Sequence, residues 1–128
     1  MSLNKRSVGG RYEAKAATYL IEMGLTILDR NFRCRFGEID LIAMESGREL
    51  AVDHDQTIAF IEVKYRKDAK SGRPFEAVDH KKQKTICRVA DYYRLKHNGL
   101  TGYNFRFDVI SILGDEITWI KNAFPYTV

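Results

Sequence analysis

Two short apolar segments, each interrupted by an acidic residue, constrain the fold of this chain more than any other feature. Residues 36–44 (FGEIDLIAM) and 57–65 (TIAFIEVKY) have the length and composition of β-strands. Asp40 and Glu62 lie inside these segments, where an uncompensated charge is costly. We therefore expect both segments to be interior strands of a sheet, with a compensating group close to each acid.

The other segments predict an α/β domain with the element order α-β-β-β-α-β-β. Helical periodicity predicts helices over residues 11–23 and 75–96. Strand patterns predict the remaining strands at residues 26–33, 104–113 and 116–121. The chain has 128 residues and no linker or internal repeat, which suits one hydrophobic core. We therefore expect one domain over residues 1–128, in which helices flank a central mixed sheet.

The polar stretch from Glu45 to Gln56 predicts how the two acid-bearing strands pair. It suits the connection of an antiparallel hairpin centred near residue 51, which places Asp40 across from Glu62. Because side chains alternate along a strand, Glu38, Asp40 and Ile42 are predicted to share one face of their strand. Glu62 and Lys64 are likewise predicted to share one face of the next strand. Directly opposed Cβ atoms lie about 4.5–5.5 Å apart, so we expect the two carboxylates to be close neighbours.

Two buried carboxylates at that separation repel each other, and burial raises the pKa of at least one of them. Mg²⁺, or Mn²⁺ in its place, would resolve the conflict, because hard divalent cations prefer oxygen ligands. Lys64 places an ammonium group on the same side. In the alternative interpretation, Asp40 and Lys64 form a cross-strand ion pair, and Glu38 or Glu62 is a charge at the rim.

Positive charge is concentrated directly after the second acid. The chain carries a net charge of +4, and the segment from Lys64 to Lys84 contains eight basic and three acidic residues. We expect this segment to contact the backbone of a polyanion such as DNA, through Arg66, Lys67, Lys70, Arg73, Lys81, Lys82 and Lys84. A solvated charged face is an equally good explanation. Lys82 interrupts the apolar stripe of the second helix, so it either extends past the core edge or reaches a phosphate.

Composition excludes several classes of protein. No apolar run approaches the roughly 18 residues of a membrane span, and the start lacks the apolar stretch of a secretory signal. The two cysteines, Cys34 and Cys87, match no zinc-ligand spacing, and we expect both to be reduced. A cytoplasmic protein without membrane contact is therefore expected.

Charged and aromatic residues elsewhere favour structural roles. Arg106 and Asp108 share a strand face, and we expect them to form an ion pair that supports the site. Four tyrosines are candidates for stacking on unpaired bases, although packing in the core is the favoured use: Tyr65, Tyr92, Tyr93 and Tyr103.

Several motifs in combination resemble the YraN-like family of uncharacterised bacterial proteins. They extend over nearly the whole chain: RNFR (30–33), GEIDLIA (37–43), FIEVKYR (60–66), GRPFEAV (72–78) and RFDVI (106–110). The resemblance implies the restriction-endonuclease-like fold of the PD-(D/E)xK nuclease superfamily, similar in architecture to archaeal Holliday junction resolvases.

The resemblance also implies an acid–acid–lysine metal site formed by Asp40, Glu62 and Lys64. Members of the superfamily often add a glutamate from the first helix, and Glu13 is the matching position. Periodicity places Glu13 on the inward face of that helix, together with Ala16, Ala17 and Leu20. The alternative is a carboxylate favoured near a helix N-terminus by the macrodipole.

These observations together predict a Mg²⁺- or Mn²⁺-dependent endonuclease that acts on DNA. Branched, junction and single-stranded DNA are candidate substrates. Symmetric cutting of a junction requires two sites and would favour a homodimer. A second hypothesis is a non-catalytic nucleic-acid-binding module that retains the nuclease fold. A third is an assembly protein in which the acids only organise the core.

Overall fold

The computed structural model describes residues 5–46, 56–67 and 78–128, with side chains from residue 10 onward. Two helices and five strands follow the predicted order, together with a short 3₁₀ turn at Asn98–Leu100. The helices are α1 (Lys5–Glu22) and α2 (His80–Lys96), and the strands are β1 (Thr26–Cys34), β2 (Gly37–Glu45), β3 (Thr57–Arg66), β4 (Asn104–Leu113) and β5 (Glu116–Ile120). The predicted α/β class and element order are confirmed.

The five strands form one mixed sheet in the order β1-β2-β3-β4-β5. Strands β3 and β4 are parallel, and the other neighbouring pairs are antiparallel. A parallel pair cannot be joined by a tight turn, so the chain crosses from β3 to β4 through α2. This crossover places the second helix against the strand that carries Glu62.

The two helices pack in separate layers of core. Ile86, Val89 and Tyr93 of α2 are buried against a cluster that includes Phe60 and Phe107. Ala16, Ala17 and Leu20 of α1 belong to a second cluster, with strand residues Leu41, Ala43, Ala59, Ile61, Ile110 and Ile112. Ile61 follows Phe60 directly in β3, so the two clusters lie on opposite faces of the sheet.

Both helices begin at positions that differ from the prediction. Helix α1 begins at Lys5 rather than at residue 11, because Gly9 and Gly10 lower helix propensity without ending the helix. Helix α2 begins at His80 rather than at residue 75, since Asp79 is its N-cap and accepts a hydrogen bond from the backbone N–H of Lys82 at 2.8 Å. Residues 75–77 of the predicted helix, and residues 47–55 of the predicted connection, lie outside the described residues.

A buried ionic network confirms the predicted pairing of Arg106 and Asp108. The Arg106 guanidinium donates to both carboxylate oxygens of Asp108, at 2.8 and 2.9 Å, and to Glu45 at 2.8 Å. Trp119 and the backbone N–H of Asn122 also donate to Asp108, which is fully buried. Burial raises the pKa of Glu45, but hydrogen bonds from Lys121 and Arg106 outweigh it and hold that pKa below its usual value. The network therefore stabilises the junction of β2, β4 and β5.

Two further findings concern membrane-spanning helices and the state of the cysteines. Neither described helix combines the length and apolar character that a membrane span requires. Cys34 and Cys87 are both free thiols, as expected from the sequence.

Candidate metal centre

The candidate site lies where β2 and β3 stop pairing. Their ladder ends at Leu41 opposite Ile61, which confirms the predicted register centred on residue 51. Asp40 and Glu62 are the next residues along the two strands, and both are buried. Beyond the last pair, Oδ2 of Asp40 accepts a hydrogen bond from the backbone N–H of Val63 at 2.8 Å. The carboxylate thus takes the place of a backbone acceptor between the diverging strands.

Strict alternation of side chains does not hold along β2, contrary to the prediction. Ile39 and Ile42 both pack in the core cluster under α2, although they are three residues apart. The pairs on either side of Asp40 place it opposite Asn31 in β1, and Asn31 has a left-handed φ of 53°. Positive φ is uncommon outside glycine, and asparagine tolerates it better than most residues. Asp40, at this irregular part of β2, interacts with Glu13 of α1 and with Glu62 of β3.

Glu13 approaches Asp40 from the α1 layer. It lies on the predicted face with Ala16, Ala17 and Leu20, and it shares hydrogen bonds with Asp40 and Asn31. Burial and the neighbouring charge of Asp40 raise the pKa of Glu13 from 4.5 to about 7. The alternative of a carboxylate favoured by a helix N-terminus is wrong, because α1 begins eight residues earlier, at Lys5.

Glu62 is the most buried acid of the cluster, with 6% of its surface exposed. Burial, followed by the charge of Asp40, raises the pKa of Glu62 to about 7, against the opposing influence of two lysines. The Nζ atoms of Lys64 and Lys82 lie 3.6 and 3.8 Å from Oε1 of Glu62. The alternative pairing of Lys64 with Asp40 is not the contact observed, since Lys64 pairs with Glu62.

The donor chemistry of the cluster fits a hard divalent cation. Glu13, Asp40 and Glu62 supply only carboxylate oxygens, the ligands that Mg²⁺ and Mn²⁺ prefer. In the described part of the chain, no group of three or more His, Cys, Asp or Glu side chains is arranged to hold a metal ion. Hydrogen bonds between the carboxyl groups and the two ammonium groups on Glu62 neutralise the site instead. A bound cation would replace these protons and ammonium groups.

The remaining basic residues that were predicted to contact DNA differ in their exposure and in their contacts. Lys81 and Lys84 are exposed in the first turns of α2, and Lys67 is exposed after β3. Arg66 is half-buried at the end of β3, where its carbonyl accepts a hydrogen bond from Gly114 at 3.0 Å. Lys70 and Arg73 lie outside the described residues. Lys82 forms an ion pair with Glu62, a predicted metal ligand.

A stacked tyrosine pair beside the site was missed by sequence reasoning. The rings of Tyr12 and Tyr65 are nearly parallel, with centroids 3.6 Å apart. Tyr12 precedes Glu13 in α1, and Tyr65 follows Lys64 in β3, so the stack links the two elements that carry these residues. The ring of Tyr65 therefore packs against Tyr12, and it is neither buried in the core nor available on that face to stack on a base. The adjacency of each tyrosine to a candidate site residue was the only available sequence signal.

Comparison with known proteins identifies a family, but the description of that family names no activity. A model described as "Uncharacterised protein family UPF0102" matches residues 12–112. A UPF0102 protein of Fusobacterium nucleatum is 44% identical over 120 residues, which cover 94% of this chain and 92% of that protein. A UPF0102 protein of Lachnoclostridium phytofermentans is 43% identical over 122 residues, covering 95% and 96% of the two chains. These matches confirm the family resemblance predicted from the sequence motifs.

Proposed function

The chain belongs to the uncharacterised protein family UPF0102, and we propose that it is a metal-dependent endonuclease that hydrolyses phosphodiester bonds in DNA. The observation that carries the proposal is that the buried carboxylate of Asp40 contacts two further acids, Glu13 and Glu62, and that lysines lie next to Glu62. Acidic groups that share a site and have raised pKa values are typical of functional sites. We also propose that the chain has the restriction-endonuclease-like fold, as its resemblance to the YraN-like family implies.

Asp40 and Glu62 are the proposed ligands of Mg²⁺ or Mn²⁺, and Glu13 is a further ligand from the opposite layer. The cation would supply Lewis-acid polarisation of the scissile phosphate. Asp40 is oriented for this role by the N–H of Val63, which fixes one of its oxygens and leaves the other for the cluster. Because the pKa of Glu13 and that of Glu62 are both about 7, binding of a cation near neutral pH would release protons.

Lys64 is the proposed electrostatic catalyst. Its ammonium group is 3.6 Å from Glu62, and its side chain is 30% exposed, so it faces both the acid cluster and solvent. An ammonium group in this position can stabilise negative charge that develops on a phosphoryl oxygen. Its place in the strand, two residues after Glu62, holds it on the same side of β3 as that acid.

Exposed basic residues around the cluster would hold the DNA backbone without reading its sequence. Lys81 and Lys84 at the start of α2 and Lys67 after β3 are exposed and carry charge suited to phosphate contacts. Such contacts position a strand but do not identify bases, so we propose selectivity by DNA structure, with branched or single-stranded regions as candidate substrates. Binding is expected to weaken steeply as salt concentration rises.

The deciding experiment measures Mn²⁺-dependent cleavage of labelled branched, flapped, single-stranded and duplex DNA. Wild type is compared with Asp40→Asn and with Glu38→Gln, a matched acid on the same strand whose partner is Arg33 at 3.0 Å. The proposal predicts that cleavage depends on the metal, is lost in Asp40→Asn and is retained in Glu38→Gln. Salt-dependent DNA binding without cleavage by wild type would overturn it in favour of a non-catalytic binding module.

A further inference from the structure

One oxygen of Glu62 is shared by two ammonium groups. Oε1 lies 3.6 Å from Nζ of Lys64 and 3.8 Å from Nζ of Lys82, while the side chain of Glu62 is only 7% exposed. A divalent cation that uses this oxygen would lie within a few ångströms of both positive charges. Binding of the cation through Oε1 therefore requires at least one ammonium group to move away, since like charges repel strongly in a buried site.

The two lysines are not equally free to move. Lys64 follows Glu62 by two residues on one strand, so the backbone itself keeps the two side chains together. Lys82 comes from α2, in the layer above, and reaches Glu62 through a side chain that is 37% exposed. The backbone of Lys82 is fixed by the cap of Asp79, and the next residue, Gln83, donates to the carbonyl of Val78 at 3.0 Å. Rotation of the flexible stem can thus withdraw its ammonium group without any change in the helix.

The ammonium group of Lys82 can also point away from Glu62 and toward solvent. The Lys82 side chain is 37% exposed, and Lys81 and Lys84 are exposed on the same turns of α2, so the start of the helix carries positive charge that attracts a phosphate backbone. A lysine ammonium binds phosphate as a compact point charge and needs no fixed orientation.

We propose that Lys82 is an exchangeable counter-ion that couples DNA binding to metal binding. In the DNA-free protein it neutralises Glu62, and in the complex its ammonium group moves to a backbone phosphate and leaves Glu62 available as a metal ligand. The inference rests on the proposed function, since it requires a phosphate and a cation at this site. It assigns Lys82 as a positioning residue that acts through Glu62. By linkage, DNA raises the affinity for the cation, and the cation raises the affinity for DNA by the same factor.

The test is a calorimetric titration of Mn²⁺ into the full chain, with and without duplex DNA whose phosphorothioate linkages resist cleavage. For wild type, we expect the DNA to raise the Mn²⁺ affinity about tenfold. Lys82→Met should bind Mn²⁺ about tenfold more tightly than wild type without DNA, and the added effect of DNA should largely disappear. Lys82→Arg, which keeps the charge, should restore the coupling.

The matched control is Arg88→Met, which removes one positive charge from an exposed position on the same helix. It should leave the Mn²⁺ affinity and its dependence on DNA at the wild-type values. An unchanged or weaker Mn²⁺ affinity in folded Lys82→Met, or an equal gain in Arg88→Met, overturns the role of Lys82.

The failure of this inference is distinguishable from the failure of the proposed function. Metal-dependent cleavage by a wild-type protein whose Mn²⁺ affinity is insensitive to Lys82→Met overturns the inference alone. Coupled binding of Mn²⁺ and DNA without cleavage overturns the nuclease and leaves the counter-ion exchange standing. Absence of Mn²⁺ binding in wild type and in Lys82→Met, with DNA present, overturns both.

Discussion

Oδ2 of Asp40 accepts a hydrogen bond from the backbone N–H of Val63 at 2.8 Å, at the point where β2 and β3 separate. The same carboxyl group contacts Glu13 on one side and Glu62 on the other. Asp40 therefore performs two tasks, because it satisfies a strand N–H that has lost its ladder partner and it forms the centre of the acid cluster. These two roles account for an acid at a buried position between the two core clusters.

The two tasks of Asp40 are separable by substitution. Asp40→Asn keeps an oxygen that can accept the Val63 N–H, so we expect the free energy of unfolding to change by less than about 1 kcal/mol. Cleavage should fall by about 100-fold or more, because the negative charge required by the cation is lost. Urea unfolding and a DNA-cleavage time course measure the two effects. A stable Asp40→Asn variant with wild-type cleavage would refute the assignment of Asp40.

Glu62→Gln should stabilise the metal-free protein under mildly alkaline conditions. Glutamine imitates the protonated form of Glu62, which the buried site favours up to a pKa of about 7. We expect the melting temperature at about pH 8 to rise by roughly 3–5 °C, which corresponds to about 1 kcal/mol. The difference should vanish near pH 5, where wild type is already protonated. Thermal unfolding monitored by circular dichroism at the two pH values tests this, and a lower melting temperature at both would contradict it.

The stability of the metal-free protein should fall as pH rises from about 5 to about 8. The pKa of Glu13 and that of Glu62 are raised from 4.5 to about 7 in the folded state, so between these values the folded state binds more protons than the unfolded chain. Excess Mg²⁺ at about pH 8 should recover the lost stability, because the cation binds only the folded site. Melting curves across this pH range, with and without Mg²⁺, provide the measurement. The double variant Glu13→Gln/Glu62→Gln is the control and should show neither dependence.

Asp108→Asn should destabilise the fold without altering the chemistry of the site. Asp108 is fully buried and accepts hydrogen bonds from Arg106, Trp119 and the backbone of Asn122, so the substitution leaves the Arg106 charge only partly compensated. Removing one partner of a buried ion pair costs about 3–5 kcal/mol. Lys121→Met, at the exposed rim of the same network, should cost less than about 1 kcal/mol. Urea unfolding measures both, and equal losses in the two variants would show that burial of Asp108 is unimportant.

The stack of Tyr12 on Tyr65 should contribute to activity through the position of Glu13. We expect Tyr12→Ala and Tyr65→Ala each to lower cleavage, and we expect their combined loss of unfolding free energy to be smaller than the sum of the single losses. Tyr12→Phe retains the ring and should stay close to wild type in cleavage. A double-mutant cycle measures the coupling, and strictly additive losses would show that the two rings do not interact.

Features within one element, or within one hairpin, were predictable from the sequence. The short apolar runs at 36–44 and 57–65, each interrupted by an acid, identified two interior strands, and the length of their connection predicted the register that brings Asp40 beside Glu62. The stripe of Ala16, Ala17 and Leu20 likewise identified the buried face of α1 and the inward position of Glu13. These predictions succeeded because backbone geometry repeats at fixed periods, so a sequence pattern is a direct record of the surface that an element buries.

Contacts between layers were decided only by the tertiary structure. Nothing in the spacing of Lys82 and Glu62 indicates that a helix residue shares a carboxylate oxygen with Lys64. The alternation of side chains does not hold along β2, and Asp40 contacts Glu13 as well as Glu62. The physical reason is that the sequence specifies which face of an element is apolar, whereas the meeting of two charged groups depends on the distance and rotation at which whole layers pack. Local periodicity carries no record of those quantities.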